Sequence, residues 1–197
     1  YTAQEVKDLC TAAHEMNMLV HMDGARICNA TAALGATREA LRSFTVDAGV
    51  DVLTFGGTKT GVMFGEAVIF FNTALAKRSL YIRKQSTQLY SKMRFISAQY
   101  SAFLSNDLFI ELGVASNAGA QALFDQVVGI KELQLSTPPL VNSIYPVLEP
   151  AVSKALQDWS FFWDWDAATH QVRWMTAWDV DSTDIAAFVA GLRSLLG

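Results

Sequence analysis

Two short stretches hold residues whose types and spacing suit chemistry on a carbonyl compound. The first is His21-Met22-Asp23-Gly24-Ala25-Arg26, an apolar run that ends in a carboxylate and a glycine, with a guanidinium three residues on. A carboxylate just past the C-terminal end of a sheet strand stands where α/β proteins gather ligands, and the glycine lets the chain turn sharply after it. The second stretch is Asp51-Val52-Leu53-Thr54-Phe55-Gly56-Gly57-Thr58-Lys59-Thr60-Gly61, a strand-like run that delivers Lys59 straight after a glycine pair. Its spacing differs from that of a Walker phosphate loop. Taken singly, the first motif is equally a structural turn with a surface ion pair, and the second a solvated loop lysine. Together they supply a lysine amine for an aldehyde and a carboxylate for a protonated ring nitrogen. Those are the two groups that Schiff-base cofactor chemistry requires.

The elements that must position these residues are legible from periodicity. Residues 3–17 place Val6, Leu9, Cys10 and Ala13 at helical spacing, and Thr2 followed by Glu5 forms a capping-box pattern before them. Met18–Met22 reads as a strand ending at Asp23-Gly24, 36–48 as a helical stretch, and Val50–Phe55 and Glu66–Phe71 as two more strands. Short apolar strands alternating with helices predict an α/β layer with a largely parallel sheet. From Thr73 to about Gly129 the pattern is helical and contains no proline, and Pro138-Pro139 marks a break. Short strands follow over Ser143–Leu148, Phe161–Asp166 and Gln171–Val180. A last helix starts near Asp181-Ser182 and aligns Ile185, Phe188, Val189, Leu192 and Leu196. This tail reads as a small α+β domain, which divides the chain into 1–105 and 106–197.

Composition narrows the function. At 51% hydrophobic and 17% charged, the 197-residue chain can bury a substantial core and does not read as disordered. A net charge of −4 without long like-charge runs argues against nucleic acid as a partner. No apolar stretch reaches the length of a membrane span. Cys10 and Cys28 do not make a disulfide framework, so a cytoplasmic setting is expected. No metal site is expected. The chain opens at Tyr1 on a helix edge, without Met or a signal-peptide pattern, and reads as a C-terminal fragment of a longer protein. Without a Gly/Ser/Thr turn before Asp23 to meet a phosphate, the chain alone is expected to be inactive.

His-Met-Asp-Gly-Ala-Arg-Ile, Asp-Val-Leu-Thr-Phe-Gly-Gly-Thr-Lys and Lys92-Met93-Arg94-Phe95 resemble the low-specificity L-threonine aldolases. These are pyridoxal-phosphate enzymes of the aspartate-aminotransferase-like fold. The likeness runs on to the strand opened by Val172-Arg173-Trp174-Met175 and is weakest between Gly113 and Asp158. It implies an α/β architecture: the C-terminal part of a mostly parallel-sheet cofactor domain, then a small α+β domain. By the same resemblance, Lys59 forms the Schiff base with pyridoxal 5'-phosphate and Asp23 contacts its ring nitrogen. Arg26 and Arg173 hold the substrate carboxylate, a task that suits a planar guanidinium. Arg94 matches an arginine that reaches the cofactor phosphate of a neighbouring subunit, which implies a homo-oligomer, a dimer or tetramer. His21 belongs to the cofactor site as a support for Asp23. The implied reaction is cleavage of L-threonine or a related β-hydroxy-α-amino acid to glycine and an aldehyde. A β-eliminating lyase of the same fold and an inactive scaffold fragment are the alternatives. His14 and His170 read as structural. Trp159, Phe161, Phe162, Trp163, Trp165, Trp174 and Trp178 read as core and interface packing.

Overall fold

The computed structural model describes residues 1–197. The chain forms two compact units, Tyr1–Leu112 and Gly113–Gly197. The first opens with helix α1, Ala3–Glu15. The Glu5 backbone N–H donates to the Thr2 hydroxyl, and the Thr2 N–H donates back to the Glu5 carboxylate at 2.6 Å. Both ends of the box are therefore made, and two otherwise orphaned donors are satisfied. Val6 and Cys10, one turn apart, are the buried residues of α1, while Leu9 is exposed. Asn17, at φ 56°, closes the helix, and the strand that follows starts at His21, later than the apolar run suggests.

That strand is β1, His21–Gly24, followed by helices α2, Ile27–Ala33, and α3, Arg38–Ser43. Strands β2, Val52–Gly56, and β3, Glu66–Phe70, complete a three-stranded sheet in the order β1-β2-β3. The pair β1–β2 is parallel and the pair β2–β3 antiparallel. The reason lies in the connections. Residues 25–51 leave room for a helical crossover, whereas 57–65 is too short for one, so the chain must fold back. Within this chain the sheet is therefore mixed.

Leu53 and Phe55 project from one face of β2 into a core shared with Ile27, Cys28, Phe44, Phe103 and Phe109. Phe55 meets Phe103 and Phe109 edge-on, with ring centroids 6.3 and 5.7 Å apart. Each such fully buried side chain contributes about 1.5–3 kcal/mol. The opposite face carries His21, Asp23 and Thr54 beside Val52, Val68 and Phe70. Helices α4, Ser79–Gln85, and α5, Arg94–Leu104, follow. Helix α6, Leu108–Val127, gives Phe109 and Ile110 to the first core and Leu123, Phe124 and Val127 to the second.

The second unit is a small α+β body. Its antiparallel sheet has the order β4-β6-β5, from β4, Ser143–Ile144, β5, Trp163–Asp166, and β6, Gln171–Met175. It packs with α7, Pro150–Trp159, and α8, Ser182–Leu196. Asp181 caps α8 in a second capping box with Asp184, and Ile185, Val189 and Leu192 are buried along that helix. The aromatic run divides by face. Phe162 and Trp174 join this core, whereas Trp159, Phe161, Trp163, Trp165 and Trp178 are exposed. Trp163 stands opposite Arg173 on the edge strand β5, and although the register shifts between Asp164 and Asp166, the Trp165 ring still meets the Arg173 guanidinium on the exposed side.

Candidate active site

Asp23 and Lys59 leave the same end of two neighbouring parallel strands. In the β1–β2 register Asp23 stands opposite Thr54 and Gly24 opposite Phe55. Neighbouring strands lie about 4.8 Å apart, and Lys59 comes three residues after β2 ends. The glycines at both strand ends are there for closeness, not for unusual torsions. A Cβ on Gly24 would stand 2.5 Å from the Thr54 carbonyl oxygen. A Cβ on Gly56 would stand 2.7 Å from the Ala25 Cα. The loop after β1 therefore crosses the end of β2 in backbone contact, and the Asp23–Arg26 turn starts where the Lys59 loop starts.

The side chains there are accessible. Asp23 is exposed, and its Oδ1 accepts a hydrogen bond from the Ala25 N–H at 3.0 Å, which fixes the carboxylate at the turn. Lys59 is exposed on a turn between Thr58 and Thr60 and joins none of the ion pairs. Arg26 is half-buried at the N-terminal boundary of α2, where its side chain makes no capping hydrogen bond. His21 is exposed and lies two residues before Asp23 on β1. Its Nε2 lies 2.8 Å from the Thr54 Oγ1 across the strand pair, so its ring is held by β2.

Beneath Lys59 the site is packed. Thr60 is buried next to Lys59, and its hydroxyl lies beside the Cys28 thiol without a well-formed hydrogen bond. Burial pushes that thiol up to about 11, so Cys28 is a neutral packing group and not a nucleophile. Tyr100, which periodicity alone marks as a helix packing position, reaches the same loop. Its hydroxyl lies 3.0 Å from the Phe55 carbonyl oxygen and 2.9 Å from that of Gly65.

Arg94 opens α5 on an exposed face, with its guanidinium 4.7 Å from the Phe95 ring centroid. Arg173 belongs to the second unit. There its guanidinium lies 5.2 Å from the Trp165 ring centroid, and its Nε is buried without a hydrogen-bond partner. An unpaired buried donor is costly, and an anionic group bound to it would remove that cost. No group of His, Cys, Asp and Glu side chains is arranged to hold a metal ion, and no helix is long and apolar enough to cross a membrane.

An exposed carboxylate and a lysine amine outside every ion pair, at one end of two parallel strands, fit a cofactor that presents a ring nitrogen and an aldehyde. The family model described as beta-eliminating lyase matches residues 1–183. The chain belongs to that family. Among its relatives is the low specificity L-threonine aldolase of Pseudomonas sp. (strain NCIMB 10558), 35% identical over 201 residues, covering 100% of this chain and 56% of that protein. The protein of the same name from Pseudomonas aeruginosa is 34% identical over 199 residues, with the same coverage of each chain. The solved structure of Leishmania major threonine aldolase superposes with a TM-score of 0.85 at 27% identity, over 100% of this chain and 57% of that one. This beta-eliminating lyase family chain thus spans about half the length of the curated relatives it matches. Its fold is the aspartate-aminotransferase-like fold of threonine aldolases, and threonine aldolases and beta-eliminating lyases are pyridoxal-phosphate enzymes.

Proposed function

We propose that the protein carrying this chain cleaves the Cα–Cβ bond of L-threonine, or of a related β-hydroxy-α-amino acid, to glycine and an aldehyde. The observation that carries this reading is the emergence of Asp23 and Lys59 from one end of adjacent parallel strands. Family membership and the threonine aldolase relatives support it.

In this reading Lys59 would supply the amine that holds the pyridoxal phosphate aldehyde. Asp23 would face the ring nitrogen and favour its protonated form. When bound, the cofactor supplies an electron sink for the pair released as the Cα–Cβ bond breaks. Arg26 and Arg173 hold the substrate carboxylate, and the unpaired Nε of Arg173 supports that assignment. His21 and Thr54 form a polar pair on the strand face beside Asp23. Arg94 would reach a cofactor phosphate held by a second copy of the chain, and the working form would then be a homo-oligomer, a dimer or tetramer. The unit Tyr1–Leu112 is assigned to the cofactor-binding large domain and Gly113–Gly197 to the small domain, a division that the sequence pattern sets at 1–105 and 106–197. The protein works in the cytoplasm, where the free thiols of Cys10 and Cys28 stay reduced.

A second reading, β-elimination, is favoured by the description of the matching family and uses the same Asp23 and Lys59. Substrate assays separate the two. Turnover of threonine and phenylserine with release of glycine is expected. Release of pyruvate from tyrosine or tryptophan, with threonine untouched, would establish the second reading instead.

A further inference from the structure

The loop from Gly57 to Gly65 carries Lys59 and is closed at its neck by a side chain from outside it. Phe55 lies near the end of β2, and Gly65 immediately precedes β3. The Tyr100 hydroxyl, reaching in from α5, shares its proton between the carbonyl oxygens of these two residues, at 3.0 and 2.9 Å. Gly57 makes room for this approach, since a Cβ there would stand 2.8 Å from the Tyr100 hydroxyl oxygen and 2.8 Å from the Val62 Cγ2. The Tyr100 ring is itself wedged edge-on against Phe103, with centroids 6.0 Å apart, so the hydroxyl is held from behind.

Further ties fix both neighbours of Lys59. The Gly65 N–H donates to the Thr58 hydroxyl at 2.9 Å, and the Thr60 N–H donates to the Gly57 carbonyl at 3.0 Å. At the loop tip the Met63 N–H donates to the Gln99 Oε1 at 2.8 Å, a second anchor from α5 beside Tyr100. Burial, with the Glu66 carboxylate adding to it, pushes the Tyr100 hydroxyl up to about 12. It therefore remains a donor throughout the neutral range.

We propose that Tyr100 is a positioning residue for Lys59: its hydroxyl joins Phe55 to Gly65 and thereby holds the loop from which the Lys59 amine acts. The proposal rests on the assignment of Lys59 as the cofactor-bearing lysine. A reactive amine on an otherwise exposed turn needs such an anchor, because small losses of placement are costly in rate.

Tyr100→Phe tests it, because the ring and its packing against Phe103 remain and only the hydroxyl is lost. Trypsin cuts after Lys59 when the loop opens, so cleavage of the cofactor-free chain reads the staple without any catalysis. Loss of the shared hydrogen bond should speed cleavage after Lys59 about tenfold and leave cleavage after Lys154 unchanged. Gly57→Ala, which pushes the hydroxyl off its carbonyls, should give the same selective acceleration. In the cofactor-loaded protein, Tyr100→Phe should lower kcat about tenfold with KM for threonine nearly unchanged. Wild-type cleavage after Lys59 in both variants would overturn the proposal, and so would equal acceleration at Lys154, which marks general loosening. Borohydride reduction that fixes the cofactor on another lysine would overturn the Lys59 assignment and the proposal with it, whatever the trypsin result.

Discussion

The Gly56 α-carbon faces the Ala25 backbone so closely that a Cβ at position 56 would stand 2.7 Å from the Ala25 Cα and 2.8 Å from its carbonyl oxygen. Both sides of this contact are main chain, so neither can swing away as a side-chain tip could. Gly56→Ala should therefore cost more than about 1–3 kcal/mol, the usual penalty for overpacking. Gly129→Ala, at a position with nothing within 4 Å, should change stability by less than about 0.5 kcal/mol. Urea unfolding of the two variants measures the contrast. Equal stabilities would mean that the two loops do not touch as described.

Asp23→Asn should leave the fold intact, because Asn can accept the same Ala25 N–H through its amide oxygen. Turnover should fall by orders of magnitude, since a neutral partner no longer favours a protonated ring nitrogen. Circular dichroism and steady-state rates on one preparation separate these effects. Near-normal turnover with cofactor still bound would exclude the proposed role.

Arg173→Lys should raise KM for threonine far more than it weakens cofactor binding. A point charge replaces a two-pronged donor whose Nε has no partner within the chain. Equal loss of substrate and cofactor affinity would point to a structural role on the outer sheet face.

Asp51 ties three elements together. Its Oδ2 accepts from the Val20 N–H and lies 2.9 Å from the His14 Nε2, and its Oδ1 accepts from Asn72. The Val20 N–H, followed by the His14 and Asn72 contacts, holds the Asp51 carboxyl below the usual carboxylate range. A carboxyl depressed in the folded state binds fewer protons there than when unfolded, so its contribution is full above the ordinary carboxylate pKa and lost as pH falls through the folded value. Asp51→Asn should thus be less stable than wild type at pH 7, with the gap narrowing below about pH 4. Urea midpoints across that range test this, and a gap independent of pH would exclude the linkage.

How much of this was legible depends on whether the signal is local. Asp23 and Lys59 stood out because glycines stop short apolar runs beside them, and strand ends followed by glycine are local features. The caps at Thr2 and Asp181 were readable for the same reason. The hydroxyl role of Tyr100 was hidden, because on α5 it occupies one more position of an apolar period. Its partners Phe55 and Gly65 lie 45 and 35 residues away. The Thr54 partner of His21 depends on strand register, which a single sequence does not print. The exposure of Trp163 and Trp165 on this chain was not readable, because hydrophobic size does not say which face of an edge strand looks inward. The antiparallel turn into β3 was readable in principle from the short link after Gly56.

The most direct measurement is borohydride reduction of the cofactor-loaded protein, followed by peptide mass mapping. The account predicts one modified lysine, Lys59, and loss of both the label and the visible absorbance in Lys59→Ala. Pyridoxyl label on Lys84 or Lys92, or a labelled and still absorbing Lys59→Ala protein, would contradict it.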